Sequence, residues 1–99
     1  MRRKPHPKEY GVLLEMLKAG RRRAKKSQTD LAAEIGRVQA TVSKVERGEI
    51  WLDVIELRAW LRALEIDFIE FMLELDDRIG VPRSHFQHAL NRLPGQRLL

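Results

Sequence analysis

The segment from Ser27 to Gly48 constrains the fold of this chain most, because it predicts two short helices joined by a tight turn. Ser27 and Asp30 have the spacing of a capping box, which begins the first of these helices. Gly36 can adopt the left-handed conformation that ends it. The apolar residues between them, at helical spacing, are Leu31, Ala32 and Ile35. The segment therefore predicts a helix that packs on one side and turns sharply at its end.

The second short helix is predicted from about Val38 to Arg47, with Val42 and Val45 facing inward and Gly48 ending it. A helix of this length is not stable in isolation, so packing must hold it in place. Its outward residues are Gln39, Ala40, Thr41, Ser43, Lys44 and Arg47. All of them except Ala40 carry groups that hydrogen-bond to phosphates or base edges, so this face favours contact with DNA.

This pair of helices resembles the helix-turn-helix of the phage repressor and Cro family, also called the Xre family. The similarity extends from about Leu13 to Met72. Within the two helices, the matching residues are Ser27, Gln28, Leu31, Ala32, Gly36, Gln39, Thr41, Val42, Ser43, Lys44, Glu46, Arg47 and Gly48. After them, the matching residues are Leu52, Asp53, Val54, Glu56 and Leu57. So many positions in fixed register make the resemblance strong.

The turn between the two helices departs from the family pattern. Many members read Gly-Val-Ser-Gln where this chain has Gly36, Arg37, Val38 and Gln39. Val38 lacks the oxygen with which serine caps a helix, and a missing cap costs about 1 kcal/mol. Some members carry Arg-Pro at this point. Val38 is then expected to fill the place of that proline, which leaves Arg37 as an extra cation facing the DNA backbone.

The resemblance implies that the second helix enters the major groove while the first lies across the DNA backbone. The positions that match the family's base-contacting surface are Gln39, Ala40, Ser43 and Lys44. Gln39 would read adenine through its amide, Lys44 would reach guanine O6 and N7, and Ala40 would touch a thymine methyl group.

Other matching positions imply contacts with phosphates. Gln28 resembles the residue that binds phosphate through its amide and the helix N-terminus. Arg37, Thr41 and Arg47 are expected to contact the DNA backbone. The same is expected of a basic cluster, defined as Arg22, Arg23, Lys25 and Lys26.

Arg21 precedes this cluster and has a different implied role. In the family, an arginine at this position pairs with the glutamate that matches Glu46. The pair would tie the first helix of the chain to the end of the recognition helix. The alternative for Arg21 is direct contact with DNA.

The charge is distributed unevenly along the chain. Residues 1–50 contain 13 lysines and arginines against 6 acidic residues, whereas residues 51–99 contain 6 against 8. A basic half beside an acidic half suits a protein that lays one face on a polyanion. The alternative is a solvated surface that only maintains solubility. Together with the helix-turn-helix pattern, the charge favours DNA.

The whole chain is predicted to be all-α, with a five-helix repressor-like helix-turn-helix domain and a short additional C-terminal helix. Residues 1–7 are predicted to be a basic flexible arm, residues 8–80 the DNA-binding domain, and residues 81–99 a helical extension. The extension has an amphipathic pattern that includes Phe86, Ala89, Leu90 and Leu93. This last helix could dock on its own domain, on a second subunit or on another protein.

Three longer helices complete the predicted domain. The first runs from Lys8 to about Lys25 and carries the small residue Gly20, where another helix can approach closely. The fourth begins at Asp53 and ends near Leu64. Its predicted inward stripe consists of Val54, Leu57, Trp60, Leu61 and Leu64. The fifth runs from Asp67 to near Gly80.

The fifth helix has more apolar residues than one face can bury. They are Phe68, Ile69, Phe71, Met72, Leu73 and Leu75. We therefore expect Phe68, Phe71 and Leu75 to form a subunit interface. The alternative is a wide core stripe with one or two exposed apolar side chains.

Several classes of function have no support in the sequence. There is no cysteine and no Gly-rich phosphate-binding loop, so we expect neither catalysis nor a cofactor. His85 and His88 lack an evident third ligand, so no metal site is expected. No apolar run is long enough to cross a bilayer, so no membrane contact is expected, and we predict a cytoplasmic, nucleoid-associated protein.

The sequence is thus interpreted as a sequence-specific DNA-binding transcriptional regulator. We expect a homodimer that binds double-stranded DNA at a near-palindromic operator and represses transcription; autorepression is implied by the resemblance alone. The alternative is an antitoxin or adaptor whose main role is to bind a toxin or other protein through the fifth and sixth predicted helices.

Overall fold

A computed structural model describes residues 7–80, and it contains five helices in that range. They are α1 (Pro7–Arg23), α2 (Gln28–Ile35), α3 (Gln39–Glu46), α4 (Val54–Ala63) and α5 (Phe68–Ile79). Residues 7–80 contain no strand. The prediction of an all-α, five-helix domain is therefore confirmed. The sixth predicted helix and most of the basic arm lie outside the described residues.

Helix α1 begins one residue earlier than predicted. Pro7, assigned to the arm from the sequence, is the first residue of the helix. Proline suits this place because its fixed φ angle matches the helix and the first turn does not need its missing N–H. None of the helices in residues 7–80 has the length and apolar character that a membrane span requires.

One hydrophobic core receives side chains from all five helices. Its buried apolar residues are Leu13, Met16, Leu17, Leu31, Ala32, Val42, Val45, Leu57, Trp60, Leu61, Leu64 and Phe71. Burial of a leucine, valine or phenylalanine side chain contributes about 1.5–3 kcal/mol, so this set stabilises the three-dimensional arrangement of helices too short to persist alone. The core thereby fixes the position and rotation of α2 and α3.

Gly20 allows the segment between α4 and α5 to lie against α1. A Cβ atom at this position would be only 2.6 Å from Cδ1 of Ile66. Separations under 3 Å do not occur between real Cβ atoms and their neighbours. The close approach at Gly20 is therefore present, but the neighbour is Ile66 in the connection between α4 and α5, whereas the sequence predicted a helix.

The turns after α1 and after α4 have the same geometry without a glycine. Lys25 and Glu65 both adopt the left-handed conformation, with φ of 59° and 58°. In each turn the next residue bonds back to the helix: Lys26 N–H donates to the Arg21 carbonyl (3.2 Å), and Ile66 N–H donates to the Leu61 carbonyl (2.9 Å). These bonds satisfy carbonyl groups that a helix end otherwise leaves unpaired.

Two predictions about apolar side chains are wrong. Val54 was assigned to the inward stripe of α4 but is 59% exposed, because it stands at the first position of the helix, beyond the edge of the core. Phe71 was assigned to a subunit interface but is 4% exposed within a single chain, where it belongs to the core.

The rotation of α5 about its own axis explains why the prediction for Phe71 is wrong. Phe68, Phe71 and Leu75 follow one another at helical spacing and all pack against the core of their own chain. Ile69 and Leu73 lie on the opposite side and are 63% and 66% exposed. Phe71 is therefore not available for an interface, whereas an interface contribution from the partly buried Phe68 and Leu75 stays a prediction. The most exposed apolar side chains of α5 are Ile69 and Leu73.

Candidate nucleic-acid interface

The start and end of α2 are fixed by local hydrogen bonds. The Ser27 hydroxyl accepts a bond from Asp30 N–H (3.0 Å), and the Asp30 carboxylate accepts one from Ser27 N–H (2.9 Å). The bonds from Ser27 lower the pKa of the Asp30 carboxyl. Gly36 ends the helix with φ of 69°, a conformation that costs glycine little. This geometry turns the chain sharply toward α3.

The first turn of α3 lacks a side-chain cap. Val38 occupies the N-cap position with extended backbone angles, makes no side-chain cap hydrogen bond and is 66% exposed. Its carbonyl accepts a bond from Thr41 N–H at 3.0 Å, so the backbone of the first turn forms nevertheless. The expected departure from a serine cap is present.

Burial of two valines fixes the rotation of α3. Val42 and Val45 are both 0% exposed, so their side of the helix is held against the core. The α3 and C-cap residues that were predicted to contact DNA lie on the remaining surface of the helix; they are Gln39, Ala40, Thr41, Ser43, Lys44 and Arg47. Of these, Gln39, Ala40, Lys44 and Arg47 are exposed, while Thr41 and Ser43 are half-buried. The arrangement presents polar and basic groups along an exposed face of α3, which we call the recognition face.

Lys44 and Arg47 differ in their surroundings on this face. The side chain of Lys44 is exposed and has no hydrogen-bond or ion-pair partner in the range 7–80, although its charge helps to lower the pKa of the Glu49 carboxyl. Arg47 donates from Nε to the Glu49 carboxylate at 2.6 Å and from Nη1 to the Ser43 hydroxyl. The bond from Arg47 holds the pKa of the Glu49 carboxyl below its ordinary value. Contact between Arg47 and a phosphate must therefore compete with Glu49.

Arg37 lies in the turn between α2 and α3 and faces α4. Its Nη2 atom is 3.4 Å from the Glu56 carboxylate, and both side chains are about half exposed (52% and 42%). Such a surface pair stabilises a fold by less than about 1 kcal/mol. Arg37 can therefore exchange Glu56 for another anion at little cost.

Arg21 and Glu46 form the ion pair between α1 and the end of α3 that the resemblance implied. Arg21 Nε and Nη2 donate to the two Glu46 carboxylate oxygens at 2.6 Å and 3.0 Å. Glu46 is only 6% exposed. Burial opposes ionisation of this carboxylate, but the bonds from Arg21 and Gln28 outweigh it, and the pKa of Glu46 is lowered.

Gln28 has neighbours that the sequence did not predict. Its Nε2 atom donates to Glu46 Oε1 at 3.0 Å, and its Oε1 atom accepts a bond from Gln39 Nε2 at 2.7 Å. Both the nitrogen and the oxygen of the Gln28 amide, which was expected to bind phosphate, are thus hydrogen-bonded within the protein. One N–H of this amide has no partner in these two bonds. Helical periodicity could not reveal this, because the contact between Gln28 and Gln39 depends on how α2 crosses α3.

Lys26 differs from the rest of the basic cluster because its amine is hydrogen-bonded within the protein. Its ammonium group donates to the Ala63 carbonyl at the end of α4 (2.5 Å) and to the Glu34 carboxylate (2.8 Å). The predicted phosphate contact of Lys26 would have to replace these bonds, one of which satisfies a carbonyl group at the end of α4. The other three members, Arg22, Arg23 and Lys25, are exposed.

Comparisons with known proteins agree with this geometry. A family model described as helix-turn-helix matches residues 17–71. The fold is similar to the solved structure of an XRE-family like protein from Pseudomonas syringae pv. tomato, with a TM-score of 0.72 and 36% sequence identity. The similarity covers 76% of this chain and 92% of that one. A search of curated protein sequences finds no match. The chain belongs to the Xre family of helix-turn-helix proteins and is a DNA-binding regulator.

Proposed function

We propose that this protein is a dimeric repressor that binds a near-palindromic operator with α3 in the major groove. The observation that carries the proposal is the two-sided character of α3. Val42 and Val45 are 0% exposed on one side, and the recognition face presents amide, hydroxyl and amine groups on the other. The major groove is about 12 Å wide and admits a single α-helix.

On the recognition face, we assign base contacts to Gln39, Ala40, Ser43 and Lys44. The exposed side chain of Lys44 has no hydrogen bond or ion pair with a described residue that it must break before it reaches guanine O6 and N7. Gln39 retains its amide oxygen and one N–H after its bond to Gln28, which is the pair of groups that adenine recognises. Ala40 has only a methyl group and suits a thymine methyl.

Phosphate contacts are assigned to residues that surround this face. Arg37 and Arg47 would exchange exposed carboxylates for phosphates, and Thr41 would donate its hydroxyl. Gln28 has one amide N–H left for a phosphate after its bond to Glu46. Arg22, Arg23 and Lys25 extend the positive charge along the end of α1. Such contacts position a protein on DNA without reading its sequence.

Dimerisation is proposed through the exposed side of α5. Ile69 and Leu73 are one helical turn apart and about two-thirds exposed (63% and 66%), so water contacts two large apolar side chains. In a twofold dimer, the same patch of each subunit meets its copy. Two α3 helices would then enter the major groove about 34 Å apart, one helical turn of DNA.

The regulated promoter is proposed to be near the gene of the protein itself, and this part of the proposal rests on the family resemblance.

A second candidate function is that of an antitoxin or adaptor, and the exposed residues Ile69 and Leu73 favour it. Ile69 and Leu73 suit an apolar partner of another sequence as well as a second copy. The two roles are compatible, because a protein of this kind can bind DNA and a partner at once.

Selection of DNA fragments from a random library tests the proposal directly. The purified protein should enrich one near-palindromic sequence. If it neutralises about six phosphates, the logarithm of its affinity for that sequence should fall with the logarithm of salt concentration at a slope near −5. Enrichment of no sequence, or a slope near zero, would contradict the proposed function. Enrichment of a single half-site would contradict the dimer.

A further inference from the structure

A chain of hydrogen bonds leads from the buried end of α3 to the recognition face. It begins at Arg21, whose guanidinium donates to both carboxylate oxygens of Glu46 at 2.6 Å and 3.0 Å. Glu46 Oε1 also accepts from Gln28 Nε2 at 3.0 Å. Gln28 Oε1 accepts from Gln39 Nε2 at 2.7 Å. Gln39 is the first residue of α3 and is exposed on the recognition face.

The chemistry of Arg21 and Glu46 allows this series of hydrogen bonds to run in only one direction, from donor to acceptor. A guanidinium can only donate hydrogen bonds, and an ionised carboxylate can only accept them. Gln28 must therefore turn its nitrogen toward Glu46 and its oxygen toward Gln39. Gln39 must in turn direct its nitrogen toward Gln28. Because the two ends of a glutamine amide differ, each member of the chain transmits the orientation to the next.

The orientation decides what Gln39 offers to a base. With one N–H bonded to Gln28, the amide oxygen and the second N–H of Gln39 remain. Adenine presents an acceptor, N7, beside a donor, N6–H2, in the major groove. An amide held in one orientation matches this pair in one order. The reversed amide would place donor against donor and acceptor against acceptor.

We propose that Glu46 is a positioning residue that sets base preference: through Gln28, it fixes the orientation of the Gln39 amide and so the preference for adenine at the base that Gln39 reads. This inference rests on the proposed function, because it takes α3 to be the reading helix. Glu46 itself is 6% exposed, so its effect on base preference would be exerted through Gln28 and Gln39 and not by its own contact with DNA.

Replacement of Glu46 by glutamine removes the fixed direction while keeping the size of the side chain. A neutral amide at this position can present either a donor or an acceptor to Gln28, so both orientations of Gln28 and Gln39 become available. A bidentate amide–adenine contact provides roughly 5- to 150-fold discrimination between bases. Glu46→Gln should lose most of that preference at a single base position.

A second substitution, at Gln28, should restore the original orientation of the Gln39 amide. In the double variant Glu46→Gln with Gln28→Glu, the carboxylate moves to position 28. It accepts from the amide nitrogen at position 46 and from Gln39 Nε2, so Gln39 has the same orientation as in the original chain. The net charge is also unchanged. Overall affinity should fall, because a carboxylate then lies near the DNA backbone, but the base preference at the Gln39 position should return.

The experiment compares base preferences in a library that carries every base at each operator position. Gln39→Ala identifies the position read by Gln39. Glu46→Gln should weaken preference at that position alone, and the double variant should recover it. Leu57→Val, a core substitution on α4, serves as a control that lowers stability and should leave every preference unchanged.

The outcomes separate this inference from the proposed function. If the original chain enriches no sequence, the proposed function fails. If it enriches a sequence and Glu46→Gln keeps the full preference, weakens all positions alike, or is not corrected by the double variant, only the role of Glu46 fails. If Glu46→Gln does not fold, the unsubstituted protein without DNA still tests the inference. NMR couplings across hydrogen bonds should show that Gln39 Nε2 donates to Gln28, and a bond in the reverse direction would overturn the inference.

Discussion

Tyr10 and Trp51 stack with their ring centroids 3.8 Å apart and their planes at 8° to each other. The Tyr10 hydroxyl accepts a hydrogen bond from Leu52 N–H at 3.0 Å. Tyr10 belongs to α1, whereas Trp51 and Leu52 belong to the connection between α3 and α4. The tyrosine therefore holds the segment that follows α3 against the first helix, and burial of its ring raises the pKa of its hydroxyl.

Two substitutions of Tyr10 should separate the hydrogen bond from the stack. Tyr10→Phe keeps the ring and should cost about 0.5–1.5 kcal/mol for the lost bond to Leu52. Tyr10→Ala should cost more, because the aromatic pair adds about 0.5–1.5 kcal/mol beyond simple burial. Urea unfolding of the three proteins measures both differences. Equal stability of the original chain and Tyr10→Phe would contradict the role of the hydroxyl.

Arg21→Ala should destabilise the fold by leaving Glu46 buried without its partner. Loss of one member of a fully buried pair costs about 3–5 kcal/mol, and the partial exposure of this pair places the expected loss below that. Arg22→Ala, at the exposed neighbouring position, is the matched control and should change stability little. An unchanged melting temperature with lost DNA binding would assign Arg21 to DNA contact instead.

The same pair predicts a pH dependence with a definite sign. The pKa of Glu46 is lowered in the folded chain, so its stabilising contribution is fully present above the ordinary glutamate pKa of about 4.3. It should be lost as the pH falls from there through the lowered folded value. The difference in unfolding free energy between the original chain and Glu46→Gln, measured across this range, isolates the contribution. A difference that grows as the pH falls would contradict it.

Substitution of either Lys25 or Glu65 by glycine should make the fold more stable. The left-handed conformation costs an ordinary residue roughly 1–2 kcal/mol, and glycine avoids this cost. Alanine at the same positions keeps the unfavourable conformation and is the matched control. The glycine variants should be more stable than the alanine variants by about 1 kcal/mol in thermal unfolding, after the greater chain entropy of unfolded glycine is allowed for. A higher melting temperature for alanine would refute the prediction.

Ile69→Glu should dissociate the proposed dimer and leave the fold intact. The substitution would bring two carboxylates together in an apolar contact across the twofold axis. Ile55→Glu on α4 replaces an isoleucine that is at least as exposed (72% against 63%) and should leave the dimer unchanged. Phe71→Glu should instead unfold the chain, because Phe71 is buried. Sedimentation decides: a monomeric original chain at micromolar concentration would exclude the dimer.

Lys44→Ala and Arg37→Ala should affect DNA binding in different ways. Loss of a base contact at Lys44 should cost about 1–3 kcal/mol on the preferred operator and relax preference at one position. Loss of Arg37 should weaken binding to all sequences about equally, because Arg37 is assigned a contact with phosphate and not with a base. Titrations on the operator and on altered operators distinguish the two. An unchanged preference in Lys44→Ala would mean that a different part of α3 reads the bases.

Features encoded within a few residues could be predicted from the sequence. The capping box of Ser27 and Asp30 forms as its spacing indicates, and Gly36 ends α2 in the left-handed conformation. Asp53, where the fourth helix was predicted to begin, caps α4 together with Glu56 in the same arrangement. Each depends on groups three or four residues apart, so the neighbouring sequence contains the whole signal. The turns after α1 and α4 carried no glycine signal, because Lys25 and Glu65 adopt a glycine-like conformation without being glycine. The end of α4 near Leu64 was nevertheless predicted, whereas α1 ends at Arg23 and not near Lys25.

Features that depend on packing between helices could not be predicted in the same way. The fifth helix has apolar residues around most of its circumference, so the sequence could not fix which side faces the core, and Phe71 was placed on the wrong one. The contact of Gln28 with Gln39 depends on the crossing of α2 and α3. The sequence named both residues for DNA binding but gave no indication that they meet.

The contact between Gly20 and Ile66 restricts how this sequence can change over time. A methyl group added at position 20 would meet the terminal methyl of Ile66 at 2.6 Å, so alanine there requires that methyl to move or to be absent. Valine at position 66 lacks it. The substitutions Gly20→Ala and Ile66→Val are therefore expected to be tolerated better together than the first alone. Related sequences with a larger residue at one position should have a smaller one at the other, although the two positions are far apart in the chain.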